Sequence, residues 1–152
     1  MKRLIFLILP LLCLSGCKTE KKNTNIPDAP IYFQIYLSNY PTFTNGMGSI
    51  LICPTGLIGN DKMGSFGYSG TVLLINDFEY RIHAYDACCT NPVCVTPKNK
   101  VSAEILATCS HCGSVFDLSV GGVVRSGVAK YPLRRYRVNS YGNTLIVNRY
   151  EY

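Results

Sequence analysis

The sequence predicts an all-β domain with a small lobe that carries two cysteine-bearing loops. Three observations predict it. Short runs rich in aromatic and β-branched residues are separated by clusters of Gly, Pro, Asn and Asp, the pattern of strands and their turns. No stretch keeps a long helical period, and no segment repeats. The composition is apolar and aromatic, with 11 Tyr, no Trp, 13 Gly and modest charge, which suits a packed chain rather than a disordered one. At 152 residues the chain can form one domain with a substantial core.

Residues 1–16 read as a lipoprotein signal peptide, separate from that domain. Lys2 and Arg3 form a basic start, and 4–14 is an apolar run too short to span a bilayer comfortably. Leu14-Ser15-Gly16-Cys17 then looks like a bacterial lipobox, in which cleavage precedes the cysteine and its thiol is lipidated. This makes Cys17 the expected lipidation site, 17–25 a polar lipidated tether, and 26–152 the folded domain. The expected location is the bacterial cell envelope, as a membrane lipoprotein facing the periplasm or the cell exterior. Loss of Lys2 and Arg3 takes the formal charge from +6 to +4. Lys18, Lys21 and Lys22 would then lie beside anionic head groups. Arg134, Arg135 and Arg137 cluster near the end, without the interleaved aromatics of a nucleic-acid site, and read as a solvated strand face. No nucleic-acid partner is expected.

Pro27 and Pro30 open the domain in extended backbone. A strand is expected at 31–37, turns at 39–48, and a short apolar strand at 49–53 ending in a buried thiol, Cys53. The Gly-rich run 54–70 reads as an irregular loop, with no Gly-Lys-Ser/Thr to make it a phosphate site. A hairpin follows at 71–75 and 78–85 across Asn76-Asp77. His83, in its second strand, reads as a structural histidine. Strands are further expected at 101–107, 114–118 and 121–124. A final hairpin pairs 133–139 with 144–150.

The stretch 84–138 organises the chain. It holds Cys88-Cys89-Thr90-Asn91-Pro92-Val93-Cys94, then Cys109-Ser110-His111-Cys112-Gly113-Ser114-Val115-Phe116-Asp117. It closes with Gly127-Val128-Ala129-Lys130-Tyr131-Pro132-Leu133-Arg134-Arg135-Tyr136-Arg137-Val138. This stretch resembles a Rieske iron–sulfur domain. That family reads C-x-H in its first loop and C-P-x-H-G-S-x-(F/Y)-D in its second. A run G-x-A-x-x-P-L-x-x-Y-x-V follows. The resemblance implies a Rieske-like antiparallel β-sandwich with a small two-loop cluster-binding subdomain. It also implies a [2Fe–2S] cofactor and one-electron transfer with a redox or envelope protein partner.

The ligands depart from the family, in which two Cys hold one iron and two His the other. Cys89 and Cys109 match the Cys positions, but Asn91 and Cys112 stand where the histidines belong. The chain is therefore similar to Rieske-like lipoproteins whose histidine ligands have been replaced. Of the 8 cysteines, setting aside Cys13 in the signal and Cys17 leaves Cys53, Cys88, Cys89, Cys94, Cys109 and Cys112. Cys89, Cys94, Cys109 and Cys112 can form a four-thiolate site, and the C-x-x-C of the second pair suits tetrahedral zinc or iron. By the resemblance, Ser114 would hydrogen-bond a cluster sulfur. A four-thiolate cluster would have a lower potential than a histidine-ligated one, because thiolates add negative charge.

A metal-free alternative is a disulfide. In relatives the position of Cys94 pairs with the position held here by His111, so that bond cannot form. Cys94 would bridge to Cys112 or Cys109 instead, as close thiols outside the cytoplasm tend to do. No Gly-x-Ser-x-Gly elbow appears, and no βαβ unit supports a disulfide oxidoreductase. The expectation is an electron carrier, or a cluster-free structural or interaction module held by zinc or a disulfide, rather than an enzyme.

Overall fold

The computed structural model describes residues 24–58 and 61–151, with the backbone alone at 62, 63 and 149–151. The expected signal segment and Cys17 lie outside the described residues. Among the described residues ten strands follow in order: β1 (Ile31–Tyr36), β2 (Ile50–Cys53), β3 (Lys62–Phe66), β4 (Val72–Asn76) and β5 (Ile82–Asp86). Then come β6 (Leu106–Thr108), β7 (Val115–Asp117), β8 (Val123–Ser126), β9 (Arg135–Tyr141) and β10 (Thr144–Glu151). One short helix, α1 (Pro41–Asn45), carries Pro at its first turn, where a missing N–H costs nothing.

The chain is all-β, as expected. Seven strands form one curled antiparallel sheet in the order β2-β4-β5-β9-β10-β1-β3. The other three form a small sheet, β6-β7-β8. Two hydrophobic clusters explain this division. Phe33, Ile35, Val72, Leu74, Tyr136, Leu145 and Val147 fill the inside of the curl. Leu73, Ile75, Tyr85, Phe116, Leu118 and Leu133 lie between the large sheet and the lobe that bears the small one. Successive residues of a strand point to opposite faces. Strand β4 therefore serves both clusters, and its five residues are all buried. Cys53, at the end of β2, is a fully buried thiol in the first cluster, pushed up to about 12 by burial and by the nearby Asp61 charge. It is structural, as its apolar neighbours suggested.

Three elements differ from expectation. The Gly-rich run holds a strand, β3, which pairs antiparallel with β1 at the sheet edge. The 101–107 segment is not one strand: Val101 makes an isolated bridge to Cys109, and the chain turns before β6. Ser102 drives that turn, since its hydroxyl accepts the Thr108 N–H at 2.9 Å. Arg134 is no solvated residue. It is 2% exposed, donating to the Asp28 carboxylate at 2.8 Å and to the Ile26 carbonyl, so it ties residues 26–28 to the end of the segment between β8 and β9.

The β4–β5 turn is longer than Asn76-Asp77 alone. Asp77 organises it, its Oδ1 accepting the Glu79 and Arg81 N–H groups at 2.8 Å each. Its Oδ2 meets Arg81 Nε at 3.1 Å and His83 Nε2 at 2.9 Å. His83 is thus held structurally, with Nδ1 2.6 Å from an Arg135 guanidinium nitrogen. Burial alone would raise the Asp77 carboxyl. The two amides, His83 and Arg81 outweigh it and hold that carboxyl well below the usual range. A depressed folded pKa contributes stability above the unfolded value, lost as pH falls through the folded one. The urea midpoint should therefore fall as pH drops below about 4. Asp77→Asn should lower the midpoint at neutral pH and make it less acid-sensitive.

Candidate metal centre

Both sheets contribute to the centre. Strand β5 ends at Asp86 and passes Cys88 and Cys89 into the first loop. Asp86 is fully buried and fixes this exit. Its Oδ1 accepts the Cys88 N–H at 2.8 Å; its Oδ2 accepts Tyr68 N–H at 2.8 Å and the Tyr136 hydroxyl at 2.5 Å. Ser69 N–H shares both oxygens at 3.3 Å. After Asn91 the chain makes a 3-10 turn, Pro92–Cys94, closed by Cys94 N–H donating to the Asn91 carbonyl at 2.7 Å. That turn swings Cys94 back beside Cys89.

The second loop joins β6 to β7. Cys109 N–H donates to the Ser114 carbonyl at 2.9 Å, and Gly113 N–H to the Cys109 carbonyl at 2.8 Å. Gly113 has φ +69°, a left-handed value that glycine adopts without strain. It lets Cys109-x-x-Cys112 close into a tight turn with both sulfurs on one side, the spacing found in tetrahedral thiolate sites. The isolated bridge Cys88 to Lys100 closes the first loop on itself, and Val101 to Cys109 joins its end to the start of the second.

The sulfurs of Cys89, Cys94, Cys109 and Cys112 all lie within 4.8 Å of one another. The first three are buried and Cys112 is partly exposed. Such a group can hold a metal ion, because it gathers four soft donors. Cys88 and Cys53 stand outside it. The Cys88 thiol donates instead to the Thr96 carbonyl at 3.4 Å, and is pushed up to about 12 by burial and by the Asp86 charge. Within the group, burial holds the Cys89 thiol well above its ordinary range and brings Cys94 up to about 11. At Cys112 burial opposes the thiolate too, but hydrogen bonds from the Ser114 hydroxyl and amide and from Asn91 outweigh it, bringing Cys112 down to about 6.

Ser114 is central to that balance. Its Oγ accepts the Val128 and Ala129 N–H groups, each at 3.1 Å, and stands 3.2 Å from Cys112 Sγ. With its acceptor sites filled, its own proton is directed at the sulfur. The segment between β8 and β9 comes this close because residue 127 is glycine: a Cβ there would stand 2.5 Å from Ser114 Cα. Thr90 ties the first loop to the same segment, its hydroxyl donating to the Tyr131 carbonyl at 2.5 Å.

All five residues singled out from the sequence (Cys89, Cys94, Cys109, Cys112 and Ser114) thus meet at one place. Asn91 supplies no sulfur, but its Nδ2 donates to Cys94 Sγ at 3.5 Å. His111, beside Cys112, is exposed and outside the thiol group. The sequence reading missed the positioning roles of Asp86 and Thr90. The signal for Asp86 was a lone acidic residue ending an apolar strand just before a cysteine pair. Among the described residues, no helix is long and apolar enough to cross a membrane. No protein-family model matches the chain, and no curated protein matches it.

Proposed function

We propose that this protein is a Rieske-like module of the bacterial envelope, tethered through Cys17, whose four thiolates hold a single tetrahedral metal ion, zinc by its donor set. One observation carries the metal reading: the mutual approach of four sulfurs within 4.8 Å. Zinc–sulfur bonds of about 2.3 Å give a tetrahedron with sulfur–sulfur edges of about 3.8 Å. The Cys89–Cys112 separation is already 3.7 Å. A two-iron cluster asks for more room. Thiolates on different irons stand roughly 5.5 Å or more apart, because the iron–iron separation is added along that axis. The spacing therefore supports one ion. Zinc there would be closed to substrate, four protein ligands leaving no open position, so its contribution is structural. It would staple the loop after β5 to the loop before β7 and present a fixed tip to an envelope partner.

The second reading is one-electron transfer, with iron in place of zinc. The hydrogen bonds to sulfur favour it, from Asn91 to Cys94 and from Ser114 to Cys112, since such bonds tune an iron–thiolate potential. Metal analysis of protein purified without air from iron- and zinc-replete cells decides between them. One zinc per chain and a colourless protein are expected. Cobalt substitution should then give the intense thiolate-to-metal bands of a tetrahedral site. Two irons with two sulfides, and a visible spectrum, would overturn the single-ion reading.

A further inference from the structure

The four thiols are unequal, and their arrangement suits more than holding an ion. Cys112 is the member of the group with access to solvent; the other three are buried. The Cys89 sulfur faces it at 3.7 Å, across the gap between the two loops. The two belong to different sheets, the Cys89 loop leaving β5 and the Cys112 loop joining β6 to β7. An oxidant arriving from solvent therefore meets Cys112 first, and the Cys89 sulfur, 3.7 Å away, is within reach to resolve the product.

We infer that Cys112 and Cys89 form a redox switch, in which a small-molecule disulfide links them and expels the metal. This rests on the metal reading above. The chemistry balances in two exchanges. The Cys112 sulfur attacks one sulfur of the oxidant, forming a mixed disulfide and releasing one small thiol. The Cys89 sulfur then attacks Cys112 Sγ, forming the Cys89–Cys112 bond and releasing the second small thiol. Two electrons pass from the protein to the oxidant. Losing two of four ligands frees the divalent ion, and the Cys94 and Cys109 sulfurs take up protons. Overall, the tetrathiolate complex, one disulfide and four protons give one protein disulfide, two protein thiols, two small thiols and the free ion. The sulfurs need to close from 3.7 Å to about 2.05 Å. A short approach of the two loop tips provides this.

The test uses the full-length zinc-loaded protein in detergent with glutathione disulfide as oxidant. A chromophoric chelator follows metal release, and peptide mass spectrometry maps the linkage. One equivalent of zinc should appear in step with a Cys89–Cys112 cross-link, and a small-molecule thiol should reverse both. A Cys94–Cys109 or Cys94–Cys112 link, or zinc retained while the disulfide forms, would overturn the switch while the metal reading stands. A chain that never carries a metal, yet forms the Cys89–Cys112 link, would overturn the metal reading and with it the release step.

Discussion

Removing the metal from the full-length protein should lower its melting temperature by about 10–20 °C. A structural tetrathiolate site contributes folding free energy outright, up to about 10–16 kcal/mol in peptides that fold only around their ion. The interior cluster of the curled sheet contains none of the four cysteines, so the share of an ion held there would be the ordering of two loops. A loss of about 5 kcal/mol corresponds to that shift in a chain of this size. Calorimetry with and without a strong chelator checks it, and readdition of zinc should restore the transition. Cys94→Ser and Cys109→Ser should each reproduce most of the loss and abolish the effect of the chelator. Cys53→Ala is the control, because Cys53 lies in the other cluster. It should cost stability through a small cavity yet keep one metal per chain. If the loops were instead held by a disulfide from Cys94 to Cys109 or Cys112, reductant would destabilise the protein and chelator would not.

Much of this arrangement was legible in the sequence, for reasons that differ by element. Strands β4 and β5 were readable because β4 runs through four apolar residues, Val72-Leu73-Leu74-Ile75, and β5 carries Ala84 and Tyr85, both buried. The last hairpin was readable because Gly142-Asn143 marks the reversal between β9 and β10. The thiol group was readable from spacing, since the Cys109-x-x-Cys112-Gly113 turn is specified within six residues by local hydrogen bonds. Strand β3 was not. Lys62-Met63-Gly64-Ser65-Phe66 has no alternating pattern, and it becomes a strand because β1 offers a free edge. The burial of Arg134 was hidden for a similar reason. Its partners Ile26 and Asp28 are more than a hundred residues away in sequence, and nothing local reports the contact. The role of Asn91 was half visible. That it offers no sulfur was readable, but its role as a donor to Cys94 sulfur required the turn after β5.

Asp86→Ala should destabilise the protein by about 3–5 kcal/mol, because it removes a buried carboxylate that serves four donors at the root of the first loop. The carboxylate accepts from Tyr68, Ser69 and Cys88 amides and from the Tyr136 hydroxyl, and the residue is fully buried. Truncation takes the carboxylate acceptor away from all four donors at once. Asp86→Asn should rescue little, since its NH2 group must face an N–H or O–H wherever it points. Tyr136→Phe removes one donor with the carboxylate still paired, and should cost only about 1–1.5 kcal/mol. The metal distinguishes positioning from general damage. Asp86 holds the Cys88 amide at 2.8 Å, and Cys89 is the next residue. Asp86→Asn should therefore weaken metal affinity by about tenfold to a hundredfold, the effect of losing a group that orients a ligand. Tyr136→Phe should leave affinity unchanged. Competition with a chromophoric chelator measures both, alongside urea unfolding of the same samples. Equal metal affinity in Asp86→Asn and Tyr136→Phe, at conditions where both are folded, would leave Asp86 as a packing residue with no bearing on the centre.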